Sequence, residues 1–385
     1  MKPIVAVATF LGGVGPTGVE THFNQILRDV AERGGDARLV TPYTGPRLHR
    51  ALFRPLKNAR SERGSLLYAR CQAVILKQQL AKIFAEAGEQ SLTVYAQSPA
   101  AAEVALAARA GRPGRVMMVV HYNISECDEI INKGLARPGG PWCRHLERVE
   151  RETLPKLDAL VFGCDFMRRT VSARVPAIAA VPQQVIFNFA PPPPAENQGK
   201  TPIRDLLAIG TLEPRKNQGF LLQVLAAARD DGHRYTLTLV GDGPDRKKLE
   251  QLTRELNLGD QVTFAGFQRH ASALIPGHRM LVHAAKQENC PLIIPEALSY
   301  GRPVAAAPVG GIPEMIRDGV ESIHWDLAQP GEAARRLAAL LEDRPRYAAA
   351  AAAARARYDD AFACMRERWL NFLAPPSESS PASRP

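Results

Sequence analysis

The chain has 385 residues, 45% of them hydrophobic and 23% charged, with a formal net charge of +10 at pH 7. That length suffices for two domains with separate cores, and the composition excludes a disordered or fibrous chain. No run of about 18 uninterrupted apolar residues is present to cross a bilayer. The charge is uneven: residues 1–190 carry +9 and the remainder +1, and residues 47–82 hold nine basic side chains against the single acid Glu62.

In chain order, the run Ile4 to Leu11 after Met1 and Lys2 reads as a buried parallel strand and not as a leader. The loop Gly12 to Glu20 follows, and a helix starting near Val19 would turn free amides and its positive dipole end toward a phosphate. Gly13, Gly15 and Gly18 satisfy the GxGxxG dinucleotide spacing. That fingerprint also needs an acid at the end of the second strand, whereas this strand ends Leu39-Val40-Thr41-Pro42 and Asp36 precedes it. An NAD(P)-dependent oxidoreductase is thus the weaker alternative, and a ligand-free turn is a third reading.

The basic stretch 47–82 interleaves Arg47, Arg50 and Arg54 with Leu48, Leu52, Phe53 and Leu56, then places Leu67, Cys71, Val74 and Ala81 at helical spacing. It suits an anionic membrane or a lipid-diphosphate acceptor, with a solvated basic face as the bland alternative. Few aromatics and no base-reading motif speak against nucleic acid.

Apolar runs at Arg38 to Thr41, Leu92 to Ala96, Val116 to His121, Ala159 to Gly163 and Gln184 to Phe187 alternate with helical patterns. His121 falls at a strand end. Proline and glycine in 191–202 predict a linker. The rhythm restarts at Leu206 to Gly210, Thr236 to Gly241, Gln261 to Ala265, Met280 to Ala284 and Pro303 to Ala307. The expectation is α/β: a doubly wound domain over 1–190, a second over 203–375 whose last helix packs back on the first, and a loose tail over 376–385. Six scattered cysteines without CxxC or Cys/His spacing read as reduced thiols of a cytosolic protein, and offer no metal site.

The densest chemistry lies at Glu288-Asn289-Cys290-Pro291-Leu292 through Glu296. Asn289 is placed as an N-cap and Pro291 as an early helical proline, which would leave the Leu292 amide free for an anion. Two carboxylates around such a helix start suit a nucleotide sugar: one for sugar hydroxyls, one for ribose, and the diphosphate between.

With Glu296 to Val304 and Val309 to Glu314, Glu288 and Glu296 form an E-x7-E motif that resembles the GT-B retaining glycosyltransferases of family 4. Gly210 to Asn217 resembles that family's phosphate loop, Val240 to Pro244 its second-domain turn, and Val262 to Phe267 the stretch near the nucleotide base. The likeness is dense over Leu206 to Ile323 and thinner before Pro182. It implies two Rossmann-like domains facing across a cleft and retaining transfer from a nucleotide-diphosphate sugar to a glycan or lipid-linked acceptor, in cell-surface polysaccharide or lipopolysaccharide synthesis. The enzyme would be cytoplasmic, peripheral on the inner face of the plasma membrane.

By the same resemblance Arg215 and Lys216 would neutralise the leaving diphosphate, Glu288 would hold sugar hydroxyls, and His121 would stand near the reaction centre. Gly18, Leu292, Glu296 and Phe267 would bind the donor. The lack of a DxD motif fits chemistry without metal or further cofactor. Thr211, Ala285 and Asn289 depart from the family pattern, and Thr211 and Ala285 keep a degenerate, non-catalytic GT-B binding protein as a further alternative.

Overall fold

A computed structural model describes residues 2–13, 15, 17–44, 62–132, 134–194 and 201–374. The chain divides into two compact units, 1–186 together with 367–385, and 187–366. Pro191 to Pro194 are counted with the second unit, and 195–200 of the expected linker lie outside the described residues, as does the tail 376–385.

The first unit is a six-stranded parallel sheet of β1 (Ile4–Ala8), β2 (Asp36–Val40), β3 (Leu92–Ala96), β4 (Arg115–Val120), β5 (Ala159–Phe162) and β6 (Gln183–Val185). Its order is β2-β1-β3-β4-β5-β6. β1 and β3 are buried at every position, as strands covered on both faces must be, which is why they read as unbroken apolar runs. The helices are α1 (Gly18–Glu32), α2 (Glu62–Ala87), α3 (Pro99–Arg109), α4 (Glu126–Asn132), α5 (Pro141–Thr153) and α6 (Asp165–Arg174).

The second unit repeats the plan with β7 (Arg204–Ile209), β8 (Leu237–Val240), β9 (Val262–Gly266), β10 (His278–His283), β11 (Val304–Ala306) and β12 (Ser322–His324). All pairs are parallel, in the order β12-β11-β10-β7-β8-β9. Its helices are α7 (Gln218–Asp230), α8 (Arg246–Glu255), α9 (Ile293–Ser299), α10 (Ile312–Met315), α11 (Pro330–Leu341) and α12 (Arg344–Ala361). The alanine run 348–354 lies within α12. Phe220, Leu225, Met280, Trp325 and Leu337 build the core on one side of this sheet, while Ile294, Leu298, Val304 and Phe362 belong to a second cluster.

A last helix, α13 (Met365–Leu373), belongs from Glu367 onward to the first unit. Trp369 is fully buried there, its ring edge-on to His22 at 4.7 Å and to Tyr95 at 5.7 Å. Each of the eleven expected strands is present. β12 was not expected, because three residues ending in a partly exposed histidine carry no period.

In both sheets the winding reverses beside the first strand, between β1 and β3 and between β7 and β10. Loops leaving two neighbouring strands at such a point run in opposite directions and open a crevice at the carboxyl edge.

Candidate active site

At the β7/β10 crevice, the loop after β7 brings Arg215 and Lys216, and the end of β10 brings His283 and Glu288. The two loops are tied by the Lys286 amide, which donates to the Arg215 carbonyl at 2.8 Å. Close backbone packing needs glycine: a Cβ on Gly241 would meet the Gly210 carbonyl oxygen at 2.0 Å, and one on Gly310 would meet the Glu288 carbonyl oxygen at 1.7 Å. The Gly311 amide then donates to the Asn289 carbonyl at 3.1 Å.

Glu288 is buried, and every donor that reaches its carboxylate from the described residues converges on one oxygen. Oε1 accepts from the Lys216 ammonium, from His283 Nε2 at 3.0 Å and from Arg215 Nη1 at 3.4 Å. Arg215 also donates to the Gln287 carbonyl at 3.0 Å and to Glu213 at 2.8 Å. Burial would push the Glu288 carboxyl up, but Lys216, the His283 hydrogen bond and Arg215 reverse this and hold it well below the usual range. Burial keeps the His283 imidazole below its ordinary pKa, although Glu288 pulls the other way. The remaining N–H groups of Arg215 and Lys216 meet no protein acceptor among the described residues, which leaves a cationic edge able to take phosphate oxygens.

Glu296 sits in the first turn of α9 and has no ion pair among the described residues; burial pushes its carboxyl up to about 7. Leu292 precedes α9, and its amide donates to no group among the described residues. The helix starts at Ile293, later than expected, and Asn289 is not its cap: Leu292 holds that place with no side-chain bond. Asn289 is buried instead, as the partner of Gly311. Phe267 stands 56% exposed just beyond β9. The structure therefore gathers Arg215, Lys216 and Glu288 into one cluster, with Leu292 and Glu296 on the segment that follows. His283 was not anticipated; its only sequence signal is a histidine at a strand end five residues before Glu288.

In the first unit, Gly18 opens α1, capped by Thr17, whose Oγ1 accepts the Glu20 amide at 3.2 Å. The Glu20 carboxylate turns back into the loop, accepting the Gly15 amide at 2.8 Å and the Thr17 hydroxyl at 2.9 Å. It fills the space that a pyrophosphate would need against Gly15, where an added Cβ would lie 1.8 Å from its Oε2. The dinucleotide reading is therefore not favoured. His121 follows β4, its Nε2 2.9 Å from Gln97 Oε1 and its ring edge-on to His22 at 5.4 Å; burial brings its pKa down to about 4. Residues 45–61, which include Arg47, Arg50, Arg54, Lys57 and Arg60, lie outside the described residues. From Glu62 onward α2 leaves Leu67, Arg70, Val74 and Lys77 exposed. No helix among the described residues is long and apolar enough to cross a membrane.

Two parallel α/β units, one with cations and carboxylates at its switch point, define a doubly wound α/β protein with a charged crevice at its strand ends. Residues 17–188 match the family model for glycosyl transferase 4-like domains, and residues 195–357 match that for glycosyl transferases group 1. The chain belongs to the group 1 glycosyltransferases, of family 4 type, with the GT-B fold. It is 33% identical over 132 residues to the lipopolysaccharide core biosynthesis glycosyltransferase LpsD of Rhizobium meliloti, covering 33% of this chain and 38% of that one. It is 29% identical over 140 residues to alpha-D-kanosaminyltransferase of Streptomyces kanamyceticus, 36% of each chain. The matched segment thus spans about a third of these curated relatives. HepE of Anabaena, solved in complex with UDP, shares the fold with a TM-score of 0.70 at 18% identity, over 97% of this chain and 99% of that one.

Proposed function

We propose that this protein is a retaining glycosyltransferase that moves a sugar from a nucleoside-diphosphate sugar to a hydroxyl of a glycan or lipid-linked acceptor, in the assembly of a polysaccharide or lipopolysaccharide. The observation that carries the proposal is the convergence of Arg215, Lys216 and Glu288 at the β7/β10 switch point, with Glu296, which has no ion pair among the described residues, on the next helix. In this reading Arg215 and Lys216 take the negative charge that grows on the leaving diphosphate, with the Leu292 amide and Gly18 as further backbone contributors. Glu296 accepts from the ribose, Glu288 from the transferred sugar, and Phe267 lies near the base. His121 serves the sugar near its anomeric carbon. A departing phosphate oxygen accepts the proton of the incoming hydroxyl, so the bond to the diphosphate breaks as the bond to the acceptor forms on the same face. Two cationic side chains do the work of a metal ion, and turnover in excess EDTA is expected to equal turnover without it.

The relatives' names support the setting: one acts in lipopolysaccharide core synthesis, and one neighbour in structure holds UDP. Exposed Leu67 and Val74 beside Arg70 and Lys77 favour a peripheral place at an anionic inner membrane face.

The first test is a thermal-shift panel of UDP, GDP, ADP and NAD on wild type and on the double variant Arg215→Ala, Lys216→Ala. One nucleoside diphosphate at about 100 times its Kd is expected to stabilise wild type by about 2.7 kcal/mol, and the double variant by far less. Anomeric proton couplings of the product then read retention directly. A shift with NAD alone would sink the proposal.

A further inference from the structure

Glu288 has two oxygens, and the structure treats them differently. Oε1 collects His283, Lys216 and Arg215, while no group among the described residues donates to Oε2. His283 is the one neutral member of that trio and is itself buried at the end of β10. Its backbone is fixed from two sides, since its carbonyl accepts the Trp325 indole N–H at 3.2 Å and the Ala307 amide at 3.3 Å. Trp325 is buried in the core of the unit, so this strand end cannot drift without disturbing that packing. A carboxylate only accepts, so the imidazole proton must sit on Nε2, pointing at Oε1. The bond thereby sets both the histidine tautomer and the rotation of the carboxylate.

Lys216 and Arg215 could hold Glu288 by charge alone, but both reach it with flexible side chains whose other N–H groups are open to an arriving diphosphate. Only His283 keeps its grip on Oε1 independent of what the cations bind. We propose that His283 is a positioning residue for the donor sugar: it pins Oε1 of Glu288 so that Oε2 is presented to one hydroxyl of the transferred sugar. An acceptor-only atom covered by the bound sugar selects for a hydroxyl donor and against a deoxy or O-alkylated position, because the oxygen would lose its water on binding and gain no donor. This inference rests on the donor-site reading above.

The test is calorimetric titration of wild type, His283→Leu and His283→Gln with UDP and UDP-glucose, GDP and GDP-mannose, and ADP and ADP-glucose. The leucine fills the space without a donor, whereas a glutamine amide reaches about where Nε2 stands. For the pair that binds, the leucine variant is expected to hold the nucleoside diphosphate within about two-fold of wild type and to lose about ten-fold or more on the sugar nucleotide. The glutamine variant should recover most of that loss. Deoxy donors then locate the contact: the hydroxyl whose removal weakens wild type should cost the leucine variant nothing further. An unchanged sugar-nucleotide affinity in the leucine variant, or an equal loss for the bare nucleoside diphosphate, overturns the inference while leaving the donor site standing. Failure of wild type to bind any of the six overturns both.

Discussion

Glu288 and Glu296 share one segment and titrate in opposite directions. Glu288, ionised and paired, contributes stability above its unfolded value of 4.5 that is lost as the pH falls below it. Glu296 is raised from 4.5 to about 7, so its contribution is full below pH 4.5 and lost as the pH rises through about 7. Glu296→Gln is therefore expected to melt with wild type at pH 4 and to be more stable at pH 8, by on the order of 2 kcal/mol, since the carboxylate is only partly exposed. Ribose hydroxyls favour the ionised form, so sugar-nucleotide affinity should rise between about pH 6 and 8 in wild type and stay flat in the glutamine variant. A sugar nucleotide is the right probe because its diphosphate diester has no proton that titrates in that range. A flat wild-type profile would remove Glu296 from the ribose site.

The strands and their order of appearance were legible at the scale of elements, because β1, β3 and β10 are buried runs that need no alternation to announce themselves. The start of α9 was less so. Asn289 has the chemistry of a cap, but its carbonyl is engaged by Gly311, a partner 22 positions away that no local pattern reveals. The same distance hid the role of Gly310, which packs on the Glu288 carbonyl, whereas His283 lies only five residues before Glu288 and was hidden because a histidine at a strand end has no distinguishing pattern. Gly310 has φ +58° and no room for a side chain. Gly310→Ala is expected to cost about 2 kcal/mol or more and to weaken nucleotide binding together with stability, measurable as a lowered Tm and a raised Kd. Trp369→Ala should cost about 3–5 kcal/mol by leaving a hole beside His22 and Tyr95, as urea unfolding would register.

Over the whole molecule, nearly all the excess positive charge lies in residues 1–190, while the Arg215, Lys216 and Glu288 cluster lies in the other unit. On the proposed function, the surplus is left for an acceptor or a surface. Charge reversal at Arg47, Arg50 and Arg54 is expected to abolish salt-sensitive binding to vesicles of phosphatidylglycerol and phosphatidylcholine, each residue contributing about 1 kcal/mol. Co-sedimentation that ignores both salt and these substitutions would leave the basic stretch as a solvated face.

The first unit is also discontinuous: its sheet is complete by Ile186, but the helix that carries Trp369 arrives about 180 residues later. During synthesis, at about 5–20 residues per second, the nascent sheet must wait some ~10–35 s with an unfilled apolar hollow around Tyr95 before its own last piece emerges. An isolated 1–186 fragment should accordingly be aggregation-prone and rescued in trans by a peptide spanning 365–374. The order in which the ribosome delivers the chain thus makes the first unit the last to be finished.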